Sequence, residues 1–167
     1  MRRSELDPKL SELAQRLFVG SRDVLAIGIT GGLGDRDVFV VDEPAQALAL
    51  RRQFGALLYR LPADVTAARL RAALVALRPA LVDGAVILLA ADKRAPALDQ
   101  LRAVFAREPL PRARLDALCE ALLLSGLSAP RQHEEPTSGW LLVSAAVPAE
   151  PCALDAFFSQ PATDPSR

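Results

Sequence analysis

Val24-Leu25-Ala26-Ile27-Gly28-Ile29-Thr30-Gly31-Gly32-Leu33-Gly34-Asp35-Arg36-Asp37-Val38-Phe39-Val40-Val41-Asp42 is the stretch on which the fold turns. Its two flanks, Val24 to Ile29 and Val38 to Val41, are apolar almost without a break, the pattern of strands buried on both faces rather than half in water. Between them lies a glycine-rich loop, Gly31 to Arg36. Only about ten residues separate Gly28 from Val38, whereas a crossover between parallel strands takes roughly a dozen or more, normally with a helix. The spacing predicts that the first crossover helix is missing. It leaves open a hairpin pairing of the two strands through the loop, in which case the sheet loses a layer on that side.

Outward from this stretch, strands alternate with helices. Upstream, Asp7-Pro8 has the form of a capping carboxylate followed by a proline in the first turn, and Leu10, Leu13, Leu17 and Phe18 recur at helical spacing, so a helix is expected over 8–18. Downstream, Pro44 opens a helix expected to run through Phe54 and close at Gly55, and Ala56-Leu57-Leu58-Tyr59 reads as the third strand. A helical pattern over 65–81 breaks at Pro79. Gly84 then resets the chain before Ala85-Val86-Ile87-Leu88-Leu89, the strongest strand. Two further helices are expected, over 96–107 and 112–125, with Gly126 as C-cap of the second. A weak strand over 127–133 and a clear one over 140–146, joined by Pro136-Thr137-Ser138-Gly139, close the domain as a hairpin.

This order predicts one α/β domain over 1–147, three layers deep, whose sheet is mostly parallel with a C-terminal antiparallel strand pair. A Pro-rich tail over 148–167 follows. It carries Leu154, Phe157 and Phe158 at helical spacing. Such a segment exposes an apolar patch unless it docks, either on its own domain or on a protein partner or second copy.

Composition narrows the classes. The chain has 167 residues, 51% of them hydrophobic and 24% charged, too apolar for disorder. No run reaches the roughly 18 uncharged apolar residues of a membrane helix, so no membrane partner is expected. Met1-Arg2-Arg3-Ser4-Glu5 lacks the apolar core of a signal peptide, which makes a cytoplasmic location the expectation. Twenty acids balance twenty bases, which argues against nucleic acid held by bulk charge. The single histidine, His133, excludes any metal site needing two imidazoles, and no metal is expected. His133-Glu134-Glu135 reads as a solvated turn, because adjacent residues of an extended segment point to opposite faces. Ser144 has no nucleophile elbow around it. Without a Lys-Ser or Lys-Thr ending and a following helix, the glycine loop is not a P-loop, and the dinucleotide fingerprint fails for the same reason. Cys119 sits in a helical pattern and is expected to be a small buried apolar residue.

Over roughly residues 20–147 the order of elements and three local sequences resemble the class I S-adenosylmethionine-dependent methyltransferases, a Rossmann-like family. Val24-Leu25-Ala26-Ile27-Gly28 is similar to that family's first strand and the start of its glycine motif. Leu77-Arg78-Pro79 through Gly84 to Leu89 is similar to its LRPGG segment and the strand that follows. Arg114 to Leu127 and Trp140 to Ala145 resemble its late helix and final strand. The resemblance implies S-adenosylmethionine as cofactor, held by Gly28, Gly31, Gly32, Gly34, Asp42 for the ribose and Asp64 for the adenine amino group. Both carboxylates also read as helix caps. The match departs from the family at Ala26, where an acid is expected, at Thr30, where the middle glycine is expected, and in the absent helix. Two functions follow as expectations. The first is a non-catalytic, methyltransferase-like structural or interaction subunit with no cofactor and no catalytic residue. The alternative is a shortened S-adenosylmethionine-dependent methyltransferase of unknown acceptor.

Overall fold

The computed structural model describes residues 4–63, 65–92, 110–133 and 139–149. Asp64, the helix expected over 96–107, the turn residues Pro136 to Ser138, and the tail with Leu154, Phe157 and Phe158 lie outside the described residues. The elements are β1 (Ser4–Glu5), α1 (Pro8–Leu17), β2 (Asp23–Ile27), β3 (Ile29–Thr30), β4 (Asp37–Val41), α2 (Pro44–Ala49), β5 (Phe54–Arg60), α3 (Ala67–Leu77) with a 3₁₀ turn (Arg78–Ala80), β6 (Leu81–Asp92), α4 (Leu110–Leu124), β7 (Ser128–His133) and β8 (Trp140–Ala146). Six strands form one sheet in the order β4-β2-β5-β6-β8-β7. β1 and β3 form a separate two-stranded ladder.

The first two strands are parallel, with Val24 opposite Val38 and Ile27 opposite Val41. Hairpin pairing is therefore ruled out, although the missing helix is confirmed. Nine residues, 28–36, make the return. A five-residue strand is about 17 Å long, and a helix needs roughly eleven residues to climb that distance at 1.5 Å each. Extended chain covers it in five or six, so the dozen-residue rule is a rule about helical crossovers.

No layer is lost, because α1 takes the vacated face. Leu10, Leu13, Ala14 and Phe18 pack with Val24, Ala26, Ala56, Leu58 and Leu88 of the sheet, and Ile29 and Leu33 of the return loop join them. Asp7 caps α1 as expected, its carboxylate accepting from the Lys9 N–H at 2.8 Å. Arg36 closes the other end. Its guanidinium donates to the Gln15 carbonyl at 3.0 Å, to the Phe18 carbonyl at 3.2 Å and to Leu33 at 3.2 Å, tying loop and helix C-terminus together. A cation at this end of the helix also meets the negative pole of its dipole. On the opposite face α2, α3 and α4 bury Ala47, Leu70, Leu74, Leu77, Leu118 and Leu122 against Leu25, Leu57, Ile87 and Val143.

Several boundaries differ from the sequence reading. Strand β6 begins at Leu81, so Gly84, at φ 78°, lies inside the strand rather than before it. Helix α2 stops at Ala49, because Arg51 turns to φ 49° and the chain enters β5 at Phe54, which is fully buried. Gly55 is therefore a strand residue, in close contact with Ser21, whose hydroxyl donates to its carbonyl at 2.9 Å. By contrast the end of α4 follows expectation. Gly126 takes φ 75°, its N–H reaches the Leu123 carbonyl and the Leu127 N–H reaches Leu122, a Schellman closure.

Candidate functional site

In an open α/β sheet the ligand crevice lies beyond the carboxyl ends of the strands, where successive connections leave to opposite faces. Here that place is between β2 and β5. The connection after β2 crosses the α1 face, and that after β5 crosses the α3 face.

Gly28 and Asp42 meet at this end, since the Gly28 N–H donates to the Val41 carbonyl at 2.9 Å. Gly28 is buried at φ 71°, a conformation that favours glycine. Asp42 is half-buried and does not cap α2. The N-cap is Glu43, without a side-chain cap bond, while the Gln46 side-chain oxygen accepts from the Asp42 N–H at 2.9 Å. A groove of about 640 Å³ opens beside Asp42, lined also by Glu43, Leu48, Tyr59, Pro62 and Arg69. Tyr59 is 5% exposed at the carboxyl end of β5. Burial raises its phenol above the ordinary 10.0, so at neutral pH it is an uncharged hydrogen-bonding group. Two carboxylates, a guanidinium, a phenol and apolar walls therefore face one groove.

The remaining predicted glycines are not gathered here, because the loop runs back along the α1 face. Gly31, at φ 151°, is pressed by the N-terminal segment: a Cβ there would lie 2.5 Å from the Leu6 Cβ. Leu6 is held in place by its N–H, which donates to the Thr30 carbonyl at 2.7 Å beyond the β1–β3 ladder. Gly32 is exposed with open space around it. Gly34, at φ 66°, abuts Gln15 near the C-terminus of α1, at the amino end of the sheet. Ala26 is 2% exposed and packs under α1, which leaves no room for an acid at that position.

Sequence reasoning missed three features of this end. The two-residue ladder was too short to show periodicity. Arg60, whose guanidinium lies 5.7 Å from the centre of the Trp140 ring, brings together residues 80 positions apart. His133 Nε2 lies 2.7 Å from the Ser144 hydroxyl across the β7–β8 pair, and Ser144 is a buried polar residue. The hairpin signal was the cue for that last contact. Cys119 is half-buried rather than buried, with Gln132 Nε2 3.8 Å from its sulfur. A small apolar cavity of about 90 Å³ between α3 and α4, lined by Leu61, Leu70 and Leu118, is too small for a substrate. Among the described residues no three His, Cys, Asp or Glu side chains converge as a metal would need, and no helix is long and apolar enough to cross a membrane.

No protein-family model and no curated protein sequence matches the chain. Solved structures do. A Nostoc punctiforme protein provisionally assigned as an O-methyltransferase superposes with a TM-score of 0.58 at 14% identity, over 83% of this chain and 54% of its own. The Methanococcus jannaschii fibrillarin pre-rRNA processing protein gives 0.57 at 11% identity, over 87% and 78%. The S-adenosylmethionine-dependent methyltransferase SibL in its apo form gives 0.51 at 12% identity, over 83% and 55%. The chain thus spans about half the length of the first and third of these. Sheet order, the antiparallel C-terminal pair and these superpositions together establish that the chain has the Rossmann-like fold of the class I S-adenosylmethionine-dependent methyltransferases.

Proposed function

We propose that the chain is a shortened S-adenosylmethionine-binding domain of methyltransferase type, with the nucleoside end of the cofactor at the crevice formed by Gly28, Asp42 and Tyr59. The carrying observation is Asp42, a half-buried carboxylate at the carboxyl end of β4, beside Gly28 and on the wall of the groove. Two vicinal hydroxyls are natural partners for one carboxylate, and Tyr59, Leu48 and Pro62 offer flat apolar surface for a base. The bound cofactor supplies an electrophilic methyl group. The chain's part is positioning, since methyl transfer proceeds largely through proximity and orientation. Arg60, Asp92 and Trp140 stand at the same end of the sheet, at the ends of β5 and β6 and the start of β8.

The test is calorimetric titration of the intact chain with S-adenosylmethionine and S-adenosylhomocysteine. Micromolar binding that falls at least about tenfold in Asp42→Ala, the loss of one charge-assisted contact, supports the reading. Absence of binding by either ligand refutes it.

One observation favours a second reading, that of a non-catalytic structural or interaction subunit. Leu6 occupies the space beside Gly31, one of the glycines to which the resemblance assigns the cofactor. In that reading the glycine loop is a packing device, and partner binding falls to the tail residues Leu154, Phe157 and Phe158. The same titration separates the two, with unchanged heats for both ligands favouring the second.

A further inference from the structure

The two edges of the six-stranded sheet are built differently. β7 is blunted: its register shifts between Ser128 and Arg131, Ala129 turns to φ 51°, Pro130 removes a donor, and Arg131 is exposed. These are the usual devices by which an edge avoids pairing. β4 lacks the bulge, the left-handed residue and the proline, and its one charged residue, the exposed Asp37, stands at its start. It reads Asp37-Val38-Phe39-Val40-Val41, pairs with β2 without a bulge, and its three central residues are half-exposed.

The ladder fixes which backbone groups face outward. Asp37 N–H donates to the Arg22 carbonyl and the Val41 carbonyl accepts from Gly28, so the odd residues of β4 point their polar groups at β2. In a parallel pair the alternate residues point away. Val38 and Val40 therefore present two N–H and two C=O groups at an edge with no further strand among the described residues. The outward Asp42 N–H is already taken by Gln46, which ends the open stretch.

We propose that this edge pairs with β4 of a second copy, antiparallel about a twofold axis at Phe39. That register sets Val38 opposite Val40 of the second copy, and both carry outward groups, so they form hydrogen-bonded pairs. The two symmetric pairs satisfy all four groups. Phe39 faces Phe39 of the second copy in the non-hydrogen-bonded position. No shift by one residue achieves this, because it sets inward-pointing residues opposite outward-pointing ones. The valines then cluster on the α1 face. Each Phe39 keeps the Arg52 guanidinium 4.1 Å from its ring, itself neutralised by Asp23 at 3.0 Å. Isologous twofold pairing is the commonest form of self-association, and edge pairing is a recurrent recognition mode.

Sedimentation equilibrium of the intact chain is expected to show a species of twice 17.9 kDa at about 100 µM, since an interface this small belongs to the weak class. Val40→Pro removes an outward N–H that no bond among the described residues uses, and is expected to yield monomer with an unchanged circular dichroism spectrum. Should that variant fail to fold, cysteine cross-linking decides. In a chain carrying Cys119→Ser and Cys152→Ser, Phe39→Cys is expected to form an interchain disulfide. Directly opposed non-hydrogen-bonded residues lie about 4.5 Å apart at Cα, whereas Val38→Cys faces itself only on the diagonal, at about 7–8 Å. A monomer at that concentration, a folded Val40→Pro dimer, or cross-linking by Val38→Cys equal to that by Phe39→Cys overturns the proposal.

Discussion

Gly31→Ala probes the least expected contact in the protein, that between the N-terminal segment and the glycine loop. The new methyl would lie 2.5 Å from the Leu6 Cβ, and the residue would keep φ 151°. An L-residue in that backbone region is strained by about 1–3 kcal/mol. Relieving the collision means moving Leu6, which breaks the bond from its N–H to Thr30, worth about 1 kcal/mol, and uncovers part of a half-buried leucine packed against the α1 cluster, worth about another. The strain and the two weakened contacts add to a loss of about 3–5 kcal/mol. For a domain of this size that lowers Tm by about 6–20 °C. Gly32→Ala is the control. Its methyl meets nothing within 4 Å, and it should stay within about 0.5 kcal/mol of the parent. Urea unfolding of both variants, repeated in a Leu6→Gly background, forms a double-mutant cycle. Leu6→Gly removes the colliding atom but leaves the φ strain, so a coupling of about 1–2 kcal/mol is expected. A Gly31→Ala loss no larger than that of Gly32→Ala, or a coupling near zero, would show that Leu6 does not press on the loop.

Arg36→Ala leaves the carbonyls of Gln15, Phe18 and Leu33 without their cation and should cost about 2 kcal/mol in urea unfolding; Arg36→Lys should recover only part, because one ammonium cannot replace the guanidinium fork. Tyr59 is the chain's one tyrosine, so its ionisation can be followed alone by ultraviolet absorbance. Its folded pKa is raised, so its stability contribution is complete below the unfolded value near 10.0 and is lost as pH climbs through the folded value. The native midpoint should therefore lie above that in denaturant, and coincident midpoints would contradict its burial. Deleting residues 149–167 should raise the apolar-dye fluorescence or change the oligomeric mass if Leu154, Phe157 and Phe158 dock; identical mass and dye response would argue against a docking role.

Buried strands and helix ends were legible in the sequence because local chemistry sets them. Val24 to Ile27, Trp140 to Ala146, the Asp7 cap and the Gly126 closure all stand where expected. Phe54 misled, since an apolar residue four beyond Leu50 fits a helical stripe as well as a strand start, and only the left-handed turn at Arg51 decides between them. Of the glycines and carboxylates that the resemblance named, Gly28 and Asp42 lie at one end of the sheet, whereas Gly34 goes to the other. Nothing local marks that difference, because each glycine serves a different neighbour: the Val41 carbonyl at Gly28, Leu6 at Gly31 and Gln15 at Gly34.

The sequence by itself determined that the chain is an α/β domain whose first crossover lacks a helix, because nine residues are too few for a helix to climb a strand's length. Only the tertiary structure decided that the strands are nonetheless parallel and that the sheet keeps both layers. The reason is that α1 arrives from before β2 to bury the face that the crossover leaves bare, with Leu10, Leu13 and Phe18 set down beside Ile29 and Leu33. Periodicity tells a helix which of its faces to bury, but not which uncovered surface will receive it.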